Sequence, residues 1–143
     1  MIKKITPQSF RRFGRIIEYP ARHRASKTKN LFRIVLRDAT SLGWRIAYLV
    51  VRDRVIHCLE QHPGTFETFE PVRGKSLLYL APSHNPASIE CFLLDRPVVL
   101  KKGIWHGIVT MGREAEIKIT ESACVKSRHW KLKTSLDHKP YAP

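Results

Sequence analysis

From residue 31 onward, the chain is a succession of short segments rich in Val, Ile, Leu and aromatic residues, separated by Gly, Pro and polar residues. The segments have the length of β-strands. Short strands separated at regular intervals by turn residues are typical of β-sandwiches and β-barrels. The pattern predicts strands at 31–37, 44–52, 55–61, 76–81, 89–94, 98–100, 104–111 and 115–120. We therefore expect an all-β fold.

One short helix is predicted near the N-terminus. Thr6 is a favourable N-cap, Pro7 suits the first helical position, and Gly14 is a residue type that often ends a helix. Residues 19–30 are polar and basic and show no apolar period, so a loop is expected there.

The length of 143 residues is sufficient for one domain with a sizeable core. We divide residues 1–143 into an N-terminal helix and basic loop at 1–30, a barrel at 31–121, and a basic tail at 122–143. No apolar run is long enough to span a bilayer, and the N-terminus lacks the apolar region of a signal peptide. We therefore expect a cytoplasmic protein with no membrane partner.

The three cysteines are an odd number and have no close-pair spacing. This argues against a disulfide framework and against a zinc finger. We expect Cys58, Cys91 and Cys124 to be reduced, with Cys58 and Cys91 in the core.

The formal charge of +14 lies almost entirely before Arg37 and after Leu100. One interpretation is a solvated surface on which like charges favour solubility; another is attraction of a small anionic substrate, nucleic acid or another polyanion. A polyanion would contact the basic N-terminal stretch, although this stretch contains no recognised nucleic-acid-binding module. Its cations are Arg11, Arg12, Arg15, Arg22, Arg24, Lys27 and Lys29.

A set of carboxylates and imidazoles predicts a metal site. Glu60 and His62 are two residues apart on a predicted strand, so their side chains point to the same face. Glu67 follows a Pro-Gly turn signal, and His106 comes from a distant segment. Such a mixed set suits Zn, Ni, Mn or Fe better than Ca or Mg. The expected ligands are Glu60, His62, Glu67 and His106, with the metal's identity left open.

Two segments resemble the motifs of the cupin superfamily, which places metal ligands on the inner wall of a jelly-roll barrel. The first reads Glu-x-His-x4-Glu-x6-Gly and ends at Gly74; the second reads Lys-x-Gly-x2-His-x3-Thr and ends at Thr110. Glu60 replaces the first His of the usual cupin pattern, and Lys101 and Thr110 replace its Pro and Asn. The resemblance implies a cupin-type jelly-roll β-barrel.

Three blocks are similar to the ureidoglycolate lyase family of cupin-like proteins. They are ITPQSF with FGRIIE at residues 5–18, EQHP with FEPVRG at 60–74, and GIWH at 103–106. The resemblance implies a protein that is often dimeric and cleaves the C–N bond of ureidoglycolate to give glyoxylate and urea during allantoin breakdown. A metal-binding cupin of other substrate specificity and a non-catalytic polyanion-binding protein are the alternatives.

The resemblance also implies roles for individual residues. Glu67 or Glu60 would be the catalytic base, and His106 the acid or a substrate clamp. Lys101, Lys102 or a metal would hold the substrate carboxylate. Trp105 would either stack on the substrate or pack in the barrel. The sequence departs from the family at Glu67, where Gln is common, and at Gly107, where a second His is usual.

Overall fold

The computed structural model describes residues 1–139, which form two β-sheets and one single-turn α-helix, α1 (Pro7–Phe10). A 3₁₀ turn follows at Ala21–His23. The strands are β1 (Ile2–Lys3), β2 (Gly14–Ile16), β3 (Trp44–Val51), β4 (Val55–Gln61), β5 (Glu67–Arg73), β6 (Ser76–Ala81), β7 (Glu90–Leu93), β8 (Val98–Leu100), β9 (Trp105–Thr110), β10 (Ala115–Ser122) and β11 (Arg128–Asp137).

The strand order is that of a jelly roll. One sheet runs β1-β7-β6-β9-β4-β11, and the other runs β2-β8-β5-β10-β3. Between β3 and β10 the chain passes from one sheet to the other at every connection except the β6–β7 hairpin. Eight strands in two sheets with this alternation are the cupin-type jelly roll, so the predicted fold class is confirmed.

The core lies between the two sheets and includes aromatic side chains from α1, from the segment after it and from β7. Phe10, Phe13 and Phe92 pack with ring centroids 5.5–6.3 Å apart. Thr6 caps α1, since its hydroxyl accepts a hydrogen bond from the Ser9 amide at 3.1 Å. The predicted helix start is therefore correct, and the helix supplies aromatic side chains to the core.

A second apolar cluster covers the outer face of the first sheet. Leu59, Leu77, Tyr79 and Val109 are buried there, and Leu132 and Leu136 of β11 pack against the cluster. Because β6 is covered on both faces, all six of its residues are buried. Much of the predicted basic tail is thus a strand of the sheet; residues 140–143 of that tail lie outside the described part of the chain.

Three expectations from the sequence are wrong. Residues 31–37 form no strand, although Val35 carbonyl oxygen accepts a hydrogen bond from Arg15 Nη1 at 2.8 Å. Gly14 does not end the helix: α1 ends at Phe10, and Gly14 opens β2. Cys58 is exposed, whereas Cys91 is buried as expected.

The sequence analysis also left β5 unassigned, because Glu67, Glu70 and Pro71 interrupt its apolar pattern. All three cysteines are unpaired. No helix within residues 1–139 is long and apolar enough to cross a membrane.

Gly14 offers a test of the β2–β8 packing. A Cβ added to Gly14 would lie 1.9 Å from the carbonyl oxygen of Val99, which is backbone and has little freedom to move. We expect Gly14→Ala to destabilise the protein by about 2–4 kcal/mol, as overpacking of a core does. Urea unfolding would measure the loss.

Gly64→Ala is the matched control, because a Cβ at Gly64 would meet no atom of residues 1–139 within 4 Å. Its free energy of unfolding should stay within about 0.5 kcal/mol of the unaltered protein. Equal stability of the two variants would contradict the close approach of β2 to β8.

Candidate metal centre

The predicted ligands meet between the two sheets. Glu60 of β4 lies directly opposite His106 of β9 in the antiparallel register, and His62 follows β4 immediately. Leu59 and Trp105, their sequence neighbours, pack in the outer cluster. Because successive side chains of a strand alternate between faces, Glu60 and His106 point inward. Glu67, the first residue of β5, reaches the same place from the facing sheet.

The side-chain atoms come close to one another. Glu67 Oε2 lies 3.2 Å from His106 Nε2 and 3.6 Å from His62 Nε2. Glu60 Oε1 lies 4.0 Å from His62 Nε2, and the two imidazole rings are 5.0 Å apart. The structure therefore brings together all four residues that the sequence analysis proposed as ligands.

Both imidazoles are oriented by hydrogen bonds at Nδ1. His106 Nδ1 lies 3.0 Å from the carbonyl oxygen of Ile104. His62 Nδ1 lies 3.1 Å from Ser127 Oγ and 3.4 Å from the carbonyl oxygen of Lys126. A carbonyl oxygen can only accept, so the hydrogen is placed on Nδ1 and the lone pair on Nε2, facing the carboxylates. This is the arrangement that supports a histidine ligand to a metal.

The turn before β9 holds the two histidines in register. The Gly103 amide donates to the carbonyl oxygen of His62 at 3.0 Å, and Gln61 Nε2 donates to the carbonyl oxygen of Gly103 at 2.8 Å. Gly103 has a φ of 79°, which a glycine adopts without strain. The turn that contains Gly103 and Ile104 thus donates a hydrogen bond to the backbone of His62 and accepts one from the His106 side chain.

A fifth residue, Glu121, belongs to the cluster and was missed by the sequence analysis. It lies opposite Glu67 in the β5–β10 register, and both Nε and Nη2 of Arg45 donate to its Oε1, at 2.9 and 2.7 Å. In β10, Ile117, Ile119 and Glu121 share one buried face. A carboxylate at an apolar position of a period-two pattern is the signal that could have identified it.

Burial and neighbouring charges shift the pKa values of two side chains in the cluster, Glu67 and His106. Burial, with the neighbouring carboxylates of Glu121 and Glu60, raises the pKa of Glu67 to about 9. Burial lowers the pKa of His106 to about 4. In the absence of a cation, Glu67 is therefore protonated and His106 neutral at pH 7.

The residues fit a divalent transition metal. Glu67 Oε2 and Glu121 Oε2 are buried and have no hydrogen-bond partner among residues 1–139. Two triads have ligand atoms within 4.8 Å of one another, and His62 is common to both: Glu60 with His62 and His106, and His62 with Glu67 and Glu121. Imidazole nitrogen with carboxylate oxygen suits Zn, Ni, Mn or Fe.

The residues that the resemblance assigned to substrate binding contact other parts of the chain. Trp105 packs on the outer face, and its Nε1 donates to the carbonyl oxygen of Ser83 at 3.2 Å. Lys102 Nζ donates to Thr40 Oγ1 at 3.0 Å and lies 3.4 Å from Asp38 Oδ2. The Lys101 side chain lines a surface cavity beside α1. Packing is therefore the role that the structure assigns to Trp105.

Comparisons with known proteins give structural likenesses only. No family model matches the sequence, and no curated protein matches it. A mutant of oxalate decarboxylase from Bacillus subtilis superposes with a TM-score of 0.46 and 17% identity, over 63% of this chain and 24% of the decarboxylase chain. A dTDP sugar isomerase from Desulfovibrio desulfuricans G20 superposes with a TM-score of 0.46 and 13% identity, over 91% of this chain and 88% of the isomerase chain.

The chain thus spans about a quarter of the length of the oxalate decarboxylase that it resembles. Another structure of that enzyme concerns its Mn(II) centres. Likenesses at this level carry no information about the metal or the substrate of this chain. The site itself is a candidate metal centre between the two sheets of a jelly roll.

The pKa of Glu67 predicts how the stability of the metal-free protein depends on pH. A carboxyl group whose pKa rises from 4.5 to about 9 on folding stabilises the fold fully below pH 4.5, and this contribution is lost as pH rises to about 9. We expect the metal-free protein to lose stability between pH 6 and 8.5, by up to about 1.4 kcal/mol per pH unit. In Glu67→Gln this loss should be absent.

Chemical unfolding of both proteins after chelation would measure this difference. His106 acts in the opposite direction and at lower pH: its lowered pKa removes stability as pH falls from 6.5 through about 4. The comparison above pH 6 keeps that effect small. Parallel pH profiles for the two proteins would show that Glu67 does not carry the buried proton.

Proposed function

We propose that the chain is a metal-binding cupin enzyme that cleaves the C–N bond of ureidoglycolate, releasing glyoxylate and urea. The observation that carries this proposal is the buried Glu67 carboxyl facing His62 and His106, whose Nε2 atoms lie 3.6 and 3.2 Å from it. The choice of ureidoglycolate as the substrate rests on the resemblance of residues 5–18, 60–74 and 103–106 to the ureidoglycolate lyase family.

The reaction requires a proton to move from one part of the substrate to another. The hydroxyl on the central carbon loses its proton, its oxygen forms the carbonyl of glyoxylate, and the C–N bond breaks. The departing nitrogen takes up a proton to give urea. No water is consumed, so one well-placed acid–base group can serve both proton transfers.

Glu67 is suited to that role. A carboxyl group can accept the hydroxyl proton at one oxygen and give a proton to the nitrogen, and it ends as it began. Its burial removes competing water, and Glu121 and Glu60 increase its affinity for a proton. Arg45 holds Glu121 from the outside, so the two carboxyl groups stay adjacent. Glu121 and Arg45 are positioning residues in this proposal.

The metal would be held by Glu60, His62 and His106, the triad that leaves Glu67 available for proton transfer. When bound, such an ion supplies Lewis-acid polarisation of substrate oxygen atoms. The carboxylate of Glu60 is the most accessible member of the triad, since 41% of its side chain is exposed. Glu60 is therefore the member of the triad that solvent reaches.

The metal assignment predicts the composition of the purified protein. Untagged protein that has met no chelator should contain about one equivalent of a transition metal by plasma mass spectrometry, because two oriented imidazoles and a carboxylate form a transition-metal site. His106→Ala and His62→Ala should each lose it. His84→Ala, which removes an exposed histidine outside the cluster, should retain it.

If Glu67 is the acid–base group and not a metal ligand, its replacement should abolish turnover without affecting metal binding. Glu67→Ala, which leaves neither an acid–base group nor the Gln that is common at this position in the resembled family, should retain the metal and lose glyoxylate release by a factor of about 10² or more. Release of glyoxylate from ureidoglycolate measures turnover directly. Metal-replete protein that releases no glyoxylate would overturn the lyase proposal and leave a cupin of other specificity.

The resemblance also implied a homodimer, and one surface supports it. Trp44, Ile46, Tyr48 and Val50 of the edge strand β3 are exposed and form an apolar row on one face. Apolar rows of this kind are often covered in an assembly. We propose that a second copy of the chain covers this row; a monomeric mass by light scattering would contradict it.

A further inference from the structure

A second cavity lies away from the metal centre, beside α1. It has a volume of about 690 Å³ and is bounded by α1, β2, the 3₁₀ turn and the segment that follows the basic loop. This volume is within the range of small-molecule sites, roughly 300–1,000 Å³. No member of the metal cluster lines the cavity.

The cavity is strongly cationic. Its lining contains five cationic side chains and one carboxylate, that of Glu18, whose Oε2 lies 3.8 Å from Arg96. The cations are Arg11, Arg15, Arg22, Arg33 and Lys101.

The outer face of the second sheet is different, because its cations are paired with carboxylates. Arg52 contacts Glu114, and Lys118 contacts Glu70. The cavity thus differs from that face, where each of these cations has a carboxylate beside it.

Two of the arginines are held in place by neutral groups. Arg15 Nη1 donates to the carbonyl oxygen of Val35 at 2.8 Å, and Arg33 Nη1 donates to the carbonyl oxygen of Glu18 at 3.2 Å. Hydrogen bonds to carbonyl oxygens orient a guanidinium without cancelling its charge. The remaining N–H groups of each are free to bind an anion, and a planar guanidinium binds phosphate through two parallel hydrogen bonds.

The opposite wall is apolar. Pro7, Phe10, Ile16 and Pro20 line the cavity together with the cations. A concave site with an apolar wall and converging arginines favours a ligand that is part anionic and part apolar. A bare inorganic ion would leave that wall without a partner.

We propose that this cavity binds a small organic phosphate, whose phosphate contacts the arginines and whose organic part lies on the apolar wall. The site goes beyond the lyase activity and does not depend on it. It also gives the basic N-terminal region a defined ligand class: a compact phosphate ester in a cavity rather than a long polyanion on an open surface.

Isothermal titration calorimetry with AMP tests the proposal, with adenosine as the probe that lacks the phosphate. AMP should bind to the metal-loaded full chain, and adenosine should bind about tenfold more weakly or not at all. Arg11→Gln and Arg33→Gln should each weaken AMP binding by about tenfold, the loss expected for one charge-assisted contact. Arg11 is exposed and its side chain makes no hydrogen bond or ion pair within residues 1–139, so we expect its replacement to leave the fold intact.

Arg113→Gln is the matched control, since Arg113 is an exposed arginine outside the cavity and its loss changes the net charge equally. It should leave AMP binding unchanged. An equal loss in Arg113→Gln and Arg11→Gln would overturn the proposal, because binding would then follow net charge. Absence of AMP binding would overturn it too. Tight binding of a 20-nucleotide DNA strand without binding of AMP would overturn it in favour of a polyanion surface.

Discussion

The pairing of β4 with β9 is the constraint on which the candidate site depends. Its register sets Glu60 opposite His106, and the turn before β9 holds His62 through the Gly103 amide. A slip of one residue would turn Glu60 and His106 to the outer face and bring Leu59 and Trp105 inward. The outer apolar cluster that contains Leu59 and Trp105 opposes such a slip, so hydrophobic packing on one face of the sheet fixes the chemistry on the other.

Burial of several carboxyl groups together is the second constraint. Glu67 and Glu121 lie side by side, and among residues 1–139 only Arg45 supplies a fixed positive charge beside them. Taking charges out of water is unfavourable unless they are paired, protonated or bound to a cation. In the metal-free protein, a proton on Glu67 removes the repulsion between the carboxylates of Glu67 and Glu121. A bound metal would instead offset it with positive charge. Uptake of a proton or of a cation by the cluster would therefore be favourable.

Short-range patterns predicted the all-β class and the helix start, and the resemblance to cupin motifs implied the jelly roll. Spacing within each segment, together with that resemblance, selected Glu60, His62, Glu67 and His106, which the structure brings together. Sequence reasoning missed Glu121, whose role depends on the β5–β10 register. It also assigned a strand to residues 31–37, where the apolar composition is right but no strand in the described part of the chain pairs with the backbone. Strand propensity describes a segment, whereas a strand requires a partner.

The sequence by itself determined the all-β class, the single helix start and the identity of the predicted ligands, since periodicity, capping residues and spacing are local properties of the chain. Only the tertiary structure decided that Glu121 and Arg45 join the cluster, that Trp105 packs outside, and that four arginines from different parts of the N-terminal region line one cavity with Lys101. These depend on which strands become neighbours and on register, and both are set by contacts between residues far apart in the chain.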